Sequence, residues 1–516
     1  MPVRLHRRSR AFAAIAVFAV LALAALLRFW ALGRPGTLVF DELYYVRDAI
    51  TQLAHGFPTS WPDDDPTMGA VYGADPSFAV HPPLGKWLIA LGLLVFGDGG
   101  GWGWRSAVAL TGVATVGVTM LLGWRISRSG FVAILAGLLL AIDGVHVVLT
   151  RVALLDGFLT FFVALGALLM WRDHEWVVDR GRLTPSGLNV LWARPWLFAA
   201  AAAFGCAAAV KWSGLYPLAA FLLLTAARDT AVRIATARSA RRPLGIATDL
   251  SQHRYASEAR AWGRAARQAL ATGVIALPTA LAVYVASWAG WIATAGGWGR
   301  AEGSWPAALW QYHVDMFAWH STLSAPHPFQ AHPFTWPLGL IPTAMYQESA
   351  GDGLTATISP LPNLLVTWGG VAALILLSWW VLRALVRPAQ FTRGRFTRGK
   401  FARGDGRLAA GVYAAAFVVV GYLAGWLPWV LTLSRSAVFQ FYAVTLTPFA
   451  ALALALVLGV ICRRGGHPEA VAGRRIAVGI FIAAAIIISL LFFPVWSGMP
   501  VPEGFWRWHL WLPGWA

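Results

Sequence analysis

Residues 12–30 read FAAIAVFAVLALAALLRFW, and about ten residues later residues 38–45 read LVFDELYY. The first stretch decides the fold. It sits in a run of 17 uninterrupted apolar residues, Ala11 to Leu27, preceded by Arg4, Arg7, Arg8 and Arg10. That exceeds the core of a typical signal peptide, and no persuasive cleavage site follows, so it is expected to stay in place as a membrane helix. A span needs about 20 mostly apolar residues. Working outward from Phe12–Trp30, ten further stretches qualify: Arg105–Arg125, Phe131–Leu149, Leu155–Trp171, Trp196–Val210, Trp212–Ala227, Ala269–Trp291, Leu364–Val386, Ala409–Leu427, Tyr442–Cys462 and Ile476–Phe493. The whole chain agrees: of 516 residues 58% are hydrophobic and 12% charged, against about 25% charged in soluble domains. The expected fold class is an all-α polytopic membrane protein with about 11 transmembrane helices. Collagen, coiled coil, intrinsic disorder and a disulfide-stapled secreted module are excluded. Cys206 and Cys462 lie in separate apolar runs, so neither a disulfide nor a thiolate metal cluster is expected.

Charge orients these spans. With the N terminus in the cytoplasm, the inner segments 1–11, 124–129, 171–195, 227–268, 383–408 and 463–475 hold 4, 2, 4, 9, 8 and 4 of the 41 Lys and Arg residues. The remaining ten fall on the outer half, which satisfies the positive-inside rule. The formal charge of +18 is therefore a topology signal, with anionic membrane lipid as neighbour and no nucleic acid as partner. Inside, Ala231–Arg267 and Pro388–Arg407 read as solvated basic connectors, the second repeating Phe-Thr-Arg-Gly at 391–394 and 396–399. Outside, residues 31–104 form the first long loop, residues 292–363 the second, and Pro494–Ala516 a tail. Long outer loops rich in Trp, Pro, His and Asp are where chemistry is to be sought.

In the first loop, Asp41 and Glu42 begin a short amphipathic helix running to Ala54. Two readings fit. At a membrane interface desolvation raises a carboxyl pKa toward that of a general base; alternatively the pair simply complements the helix macrodipole. Next, His81-Pro82-Pro83-Leu84-Gly85-Lys86 leads into an apolar run to Phe96, too short to span, so a second interfacial helix is expected, with Lys86 either snorkelling or serving a ligand. Cations close to the outer ends of spans (Arg28, Arg105, Lys211 and Arg435) either anchor in headgroups or serve a partner, and a lipid-linked phosphate is such a partner. Asp156 is a helix N-cap or a site acid. Asp143 stands apart as an acid within a span. In the second loop Trp319-His320, His327, Gln330 and His332 lie among prolines and aromatics. Their spacing fits no standard zinc site, while aromatic faces with His and Gln donors suit a sugar or an extended peptide. No repeat period and no matching broken helices point to an inverted-repeat transporter.

In order along the chain these motifs resemble the protein O-mannosyltransferases, the dolichyl-phosphate-mannose–protein mannosyltransferase family, in its actinobacterial branch. The resemblance rests on Phe40-Asp41-Glu42, His81 to Lys86, Trp104-Arg105, Arg151 with Leu155-Asp156, Val210-Lys211-Trp212-Ser213-Gly214, and Trp288-Ala289-Gly290-Trp291 with Gly297-Trp298. It continues through the loop His320–Pro337, Trp426-Leu427-Pro428-Trp429, Arg435 with Phe439–Pro448, and Trp511-Leu512-Pro513-Gly514-Trp515. It implies one GT-C glycosyltransferase domain over residues 1–516 in the plasma membrane, with site and C terminus on the outer face. With only about 70 residues in the second loop, the lumenal trefoil (MIR) domain of eukaryotic members is expected to be absent.

The implied donor is polyprenyl phosphate mannose and the implied acceptor a Ser or Thr of an exported polypeptide, with the secretion translocon as a further partner. Asp41 matches the family's proposed base, and Glu42, Arg28 and Arg105 match positions important for activity. Arg28, Arg105, Lys211, Arg435 and Lys86 are assigned to the donor phosphate, and His81, Asp156, Trp319, His320, His327 and Gln330 to sugar and acceptor. Inversion of the β-linked donor to an α-mannoside then follows. No cofactor is required, although an acidic pair is able to recruit a divalent cation. The rival readings are a GT-C enzyme acting on glycan or lipid, a lipid-linked transporter or flippase, and a structural scaffold.

Overall fold

The structure, a computed structural model, describes residues 2–179, 190–239, 250–300, 303–324, 326–386, 405–432 and 435–515. The chain opens with α1 (Pro2–Phe29), then α2 (Glu42–His55) and α3 (Leu84–Phe96) in the first loop. There follow α4 (Gly101–Ser127), α5 (Gly130–Ala141), α6 (Gly144–Leu149), α7 (Leu155–Asp179), α8 (Pro195–Val210), α9 (Leu215–Ser239) and α10 (Leu250–Ser287). The short α11 (Ala289–Ala293) leads into the second loop, which carries α12 (Trp305–Thr322). Beyond it come α13 (Leu364–Val386), α14 (Asp405–Leu431), α15 (Thr447–Arg463), α16 (Pro468–Ser497) and the short α17 (Glu503–Trp508).

Among the described residues nine helical segments are long and apolar enough to cross a membrane, which makes this a multi-pass membrane protein. They overlap nine of the eleven expected stretches. The stretch 131–149 is instead broken at Ile142-Asp143 into α5 and α6, because Asp143 accepts the His146 N–H at 2.9 Å and caps the new helix. The stretch 196–210 is the 16-residue α8, ended where Lys211 takes an extended backbone (φ −147°, ψ 142°). Parts of both basic connectors, 240–249 and 387–404, lie outside the described residues.

Burial sorts the spans into two layers. In their most apolar windows α4, α7 and the segment 440–463 bury 56, 72 and 67% of residues, whereas α1, α10, α13 and α16 bury 22%. The first three form the centre, and the others turn apolar side chains such as Phe12, Phe18, Leu270 and Leu385 outward. Such a surface is unstable in water and natural in hydrocarbon. At α14 the packing is close: a Cβ on Gly421 would stand 2.2 Å from the Phe449 ring, so only glycine lets α14 approach α15 here.

Above the bundle the two long loops lock together. Phe57 of the first loop packs with Trp288, Trp291, Leu309, Tyr312 and Met316, and the Tyr312 hydroxyl accepts the Ala79 N–H at 2.8 Å. A small antiparallel sheet, order β1-β2-β3, ties the second loop to the tail through β1 (Tyr346–Gly351), β2 (Leu354–Ile358) and β3 (Pro500–Pro502). The hairpin turns at Asp352-Gly353, both in the left-handed region (φ +49° and +72°), the conformation that two-residue hairpins require. The all-helical expectation contains no strands, and this small sheet departs from it, beside the two expected stretches that are too short or broken to span.

Candidate active site

Phe40 sets up the site. It sits in the left-handed region at φ +49°, disfavoured for a bulky side chain, and its ring is held edge-on by Phe441 (5.5 Å), His327 (6.1 Å) and Phe439 (6.4 Å). The turn delivers Asp41 to the start of α2. Its carboxylate makes no capping bond; instead Oδ2 accepts the Tyr45 hydroxyl at 3.2 Å. The macrodipole reading thus accounts for the backbone position but not for the carboxylate. Asp41 keeps partial solvent access, while its desolvated surroundings push its carboxyl from 3.8 up to about 6, with Asp156 adding to the rise and Lys211, Tyr45 and Arg435 opposing it.

Glu42, its neighbour, points elsewhere. It is fully buried, and every acceptor position is taken: Oε1 by Arg105 Nε (2.7 Å) and Ala153 N (2.8 Å), Oε2 by Arg105 Nη2 (2.7 Å) and Val39 N (3.0 Å). Arg105 spends its other donors on the carbonyls of Leu32, Pro35 and Thr37. Arg28 is likewise sealed in the bundle, donating to Thr150 Oγ1 (2.9 Å), to the Ala24 and Ala141 carbonyls, and to His146 Nδ1 (2.6 Å). Lys86 pairs with Asp48 at 3.1 Å and donates to the His81 carbonyl at 3.0 Å. These three cations, expected at the donor phosphate, already have protein partners and stand outside the wall of the cavity that the other two share.

The other two converge on a cavity of about 330 Å³ between α7, α9, α12 and α14. Lys211 donates to Asp156 at 2.7 Å and lies 5.0 Å from the centre of the Tyr442 ring. Arg435 donates to the Ala437 carbonyl (2.9 Å), His320 Nδ1 (3.1 Å) and the Tyr442 hydroxyl (3.2 Å). A guanidinium only donates, so His320 Nδ1 accepts and Nε2–H donates to the Val80 carbonyl at 2.8 Å. This fixes His320 as the neutral tautomer, and burial holds it down at about 4. His81 stacks on it at 5.1 Å and is also pushed well below its usual value, by burial and then by Lys211. His81, Asp156, Lys211, His320 and Arg435 all line this cavity, with Asp41 beside it rather than in its wall.

Trp319 is exposed with its ring on His320; His327 packs on Phe40 and Phe439; Gln330 is exposed; none of the three lines the cavity. Among the described residues no three His, Cys, Asp or Glu side chains gather in metal-binding geometry. The sequence reading did not single out Tyr45, Tyr442, Trp212 or Trp429. Tyr45 was findable, since it stands four residues after Asp41 on the same helix face; Tyr442 and Trp429 lay inside motifs noted as whole strings.

Comparison with known proteins agrees over both halves of the chain. Residues 18–293 match the profile of dolichyl-phosphate-mannose–protein mannosyltransferases, and residues 306–515 match the C-terminal four-transmembrane region of protein O-mannosyltransferases. The chain is 34% identical to a polyprenol-phosphate-mannose–protein mannosyltransferase of Mycobacterium tuberculosis, covering 96% of this chain and 90% of the relative. It is 30% identical to one of Mycolicibacterium smegmatis, covering 96% and 92%. The Saccharomyces cerevisiae protein O-mannosyltransferase Pmt1-Pmt2 complex bound to the sugar donor has the same fold, with a TM-score of 0.73 at 14% identity over 97% of this chain and 92% of that one. The chain belongs to the dolichyl-phosphate-mannose–protein mannosyltransferase family and has its helical GT-C membrane fold.

Proposed function

We propose that this protein transfers mannose from polyprenyl phosphate mannose to Ser and Thr hydroxyls of exported polypeptides. The observation that carries this is the convergence of Lys211 and Arg435 on one cavity beside Asp41, whose carboxyl is raised to about 6. Asp41 takes the proton of the acceptor hydroxyl as its oxygen bonds to the anomeric carbon. The bond from that carbon to the phosphate oxygen breaks, its electron pair leaves with polyprenyl phosphate, and the sugar inverts to an α-mannoside. The developing phosphate charge needs positive partners more than a proton. Lys211 has one of three N–H donors on Asp156, and Arg435 three of five on protein, so each keeps two for oxygen acceptors.

Glu42 and Arg105 serve this reaction at one remove: their pair pins the first loop and the start of α2, and with it Asp41. His81 and Asp156, in the cavity wall, are assigned to the sugar, and Trp319, His327 and Gln330, outside it, to the acceptor. The charge asymmetry supports a plasma-membrane protein with the N terminus inside, the site outside, and anionic lipid around its basic end. An acceptor still unfolded on export favours docking to the secretion translocon. In purified membranes, radiolabelled mannose is expected to pass from polyprenyl phosphate mannose to a Ser/Thr-rich peptide, with Asp41→Asn slowed by about 10²–10⁴-fold while remaining folded. A fully active Asp41→Asn would refute the assignment of the base. No transfer by folded wild type to any of several peptides would refute the reaction.

A further inference from the structure

Behind the cavity wall runs a chain of three side chains drawn from separate elements. His313 of α12 places Nδ1 at 2.7 Å from the Leu309 carbonyl, which only accepts, so that nitrogen carries the proton. In the neutral ring Nε2 then accepts, and the Tyr284 hydroxyl of α10 donates to it at 2.6 Å. The Tyr284 oxygen in turn accepts the indole N–H of Trp212 at 2.9 Å. The direction of every bond is set by the backbone carbonyl at one end, and burial of His313 lowers its basicity and keeps the ring neutral.

Trp212 lies in the break between α8 and α9, next to Lys211, and forms part of the cavity wall. The His313 ring stacks behind it at 5.8 Å and 22°. With its only polar atom bound to Tyr284, the indole has no hydrogen bond left to offer a ligand and contributes an aromatic, donor-free part of the cavity wall. A flat aromatic face without a donor complements the C–H face of a pyranose ring. A phosphate on Lys211 sets its attached sugar beside the next residue along the chain.

We propose that Tyr284 and His313 are positioning residues that fix Trp212 as the stacking platform for the sugar ring of the lipid-linked donor. The inference rests on the reading of the cavity as the donor site. The test uses the full chain in lipid nanodiscs, with polyprenyl phosphate mannose as donor and a fixed Ser/Thr peptide. Tyr284→Phe and His313→Phe each keep the ring and lose the relay. Each is expected to raise the donor KM about five- to tenfold with kcat within about twofold. The double variant is expected to match the singles, because both break one chain. His313→Gln, which retains an acceptor for Tyr284, is expected to restore the donor KM. If Tyr284→Phe fails to fold, the contrast between His313→Phe and His313→Gln decides at the outer end of the relay. Unchanged donor KM in the variants, with wild type active, overturns this inference alone, as does multiplication of the two effects. An inactive folded wild type instead overturns the functional reading.

Discussion

Arg105→Ala is expected to act on the architecture of the first loop rather than on affinity for the donor. Glu42 is 0% and Arg105 1% exposed, and the two are joined by a double bond pattern at 2.7 Å on each carboxylate oxygen. Truncation leaves the Glu42 charge in the protein interior with only the N–H groups of Val39 and Ala153, and strips the carbonyls of Leu32, Pro35 and Thr37 of their donor. Removing one member of a buried pair costs about 3–5 kcal/mol. At about 1.4 kcal/mol per tenfold, that is two to more than three orders of magnitude in the equilibrium between the docked and undocked loop. Proteolysis of the protein in nanodiscs reads this directly: cleavage within residues 31–80 should accelerate by at least 100-fold, and thermal melting should fall. Activity should be lost in kcat, since the disrupted loop carries Asp41, with donor KM changed less than threefold. A variant of wild-type stability and protease resistance whose only defect is a raised donor KM would refute the reasoning and return Arg105 to the phosphate.

Other expectations are simpler. If Asp41 is the proposed base it acts ionised, and with burial raising its carboxyl to about 6, kcat/KM should be level above that pH and fall toward tenfold per unit below it; a flat profile between pH 5 and 7 would exclude Asp41 as the titrating base. Arg435→Lys keeps the charge but cannot hold the Ala437 carbonyl, His320 and Tyr442 together, so donor KM should rise about tenfold, and an unchanged KM would count against Arg435 as a phosphate ligand. Gly421→Ala forces a Cβ to 2.2 Å from the Phe449 ring and should cost about 1–3 kcal/mol of stability; unaltered melting would disprove the close approach of α14 to α15.

The hydropathy of the chain exposes its spans because a bilayer imposes one requirement, about 20 apolar residues, that any reader can count. The separation of the cations into bound and available groups is not legible in the same way. Arg28 and Lys211 look alike in sequence, each a lone charge beside an apolar run. What separates them is His146, 118 positions from Arg28, and Asp156, 55 positions from Lys211 and itself facing the cavity. Glu42 shares a dipeptide with Asp41, yet consecutive helical side chains diverge by about 100°, and the two carboxylates serve different surroundings. The hairpin at Tyr346–Ile358 carried a readable Asp-Gly turn, but the partner that extends it into a sheet, residues 500–502 of the tail pairing with its second strand, lies about 145 positions away.

The cavity draws Asp156 and Lys211 from the first half of the chain and Arg435 and Tyr442 from the last quarter. Synthesis runs from one end, so a nascent chain carries Asp41 and Lys211, the proposed base and first cation, well before Arg435 leaves the ribosome. Until residues 435–442 are made and inserted, Tyr442 offers no wall to Lys211 and His320 has no guanidinium to orient. On the proposed reading, the cavity therefore lacks part of its wall and one of its two cations until residues 435–442 have joined it, whatever the state of the elements made earlier.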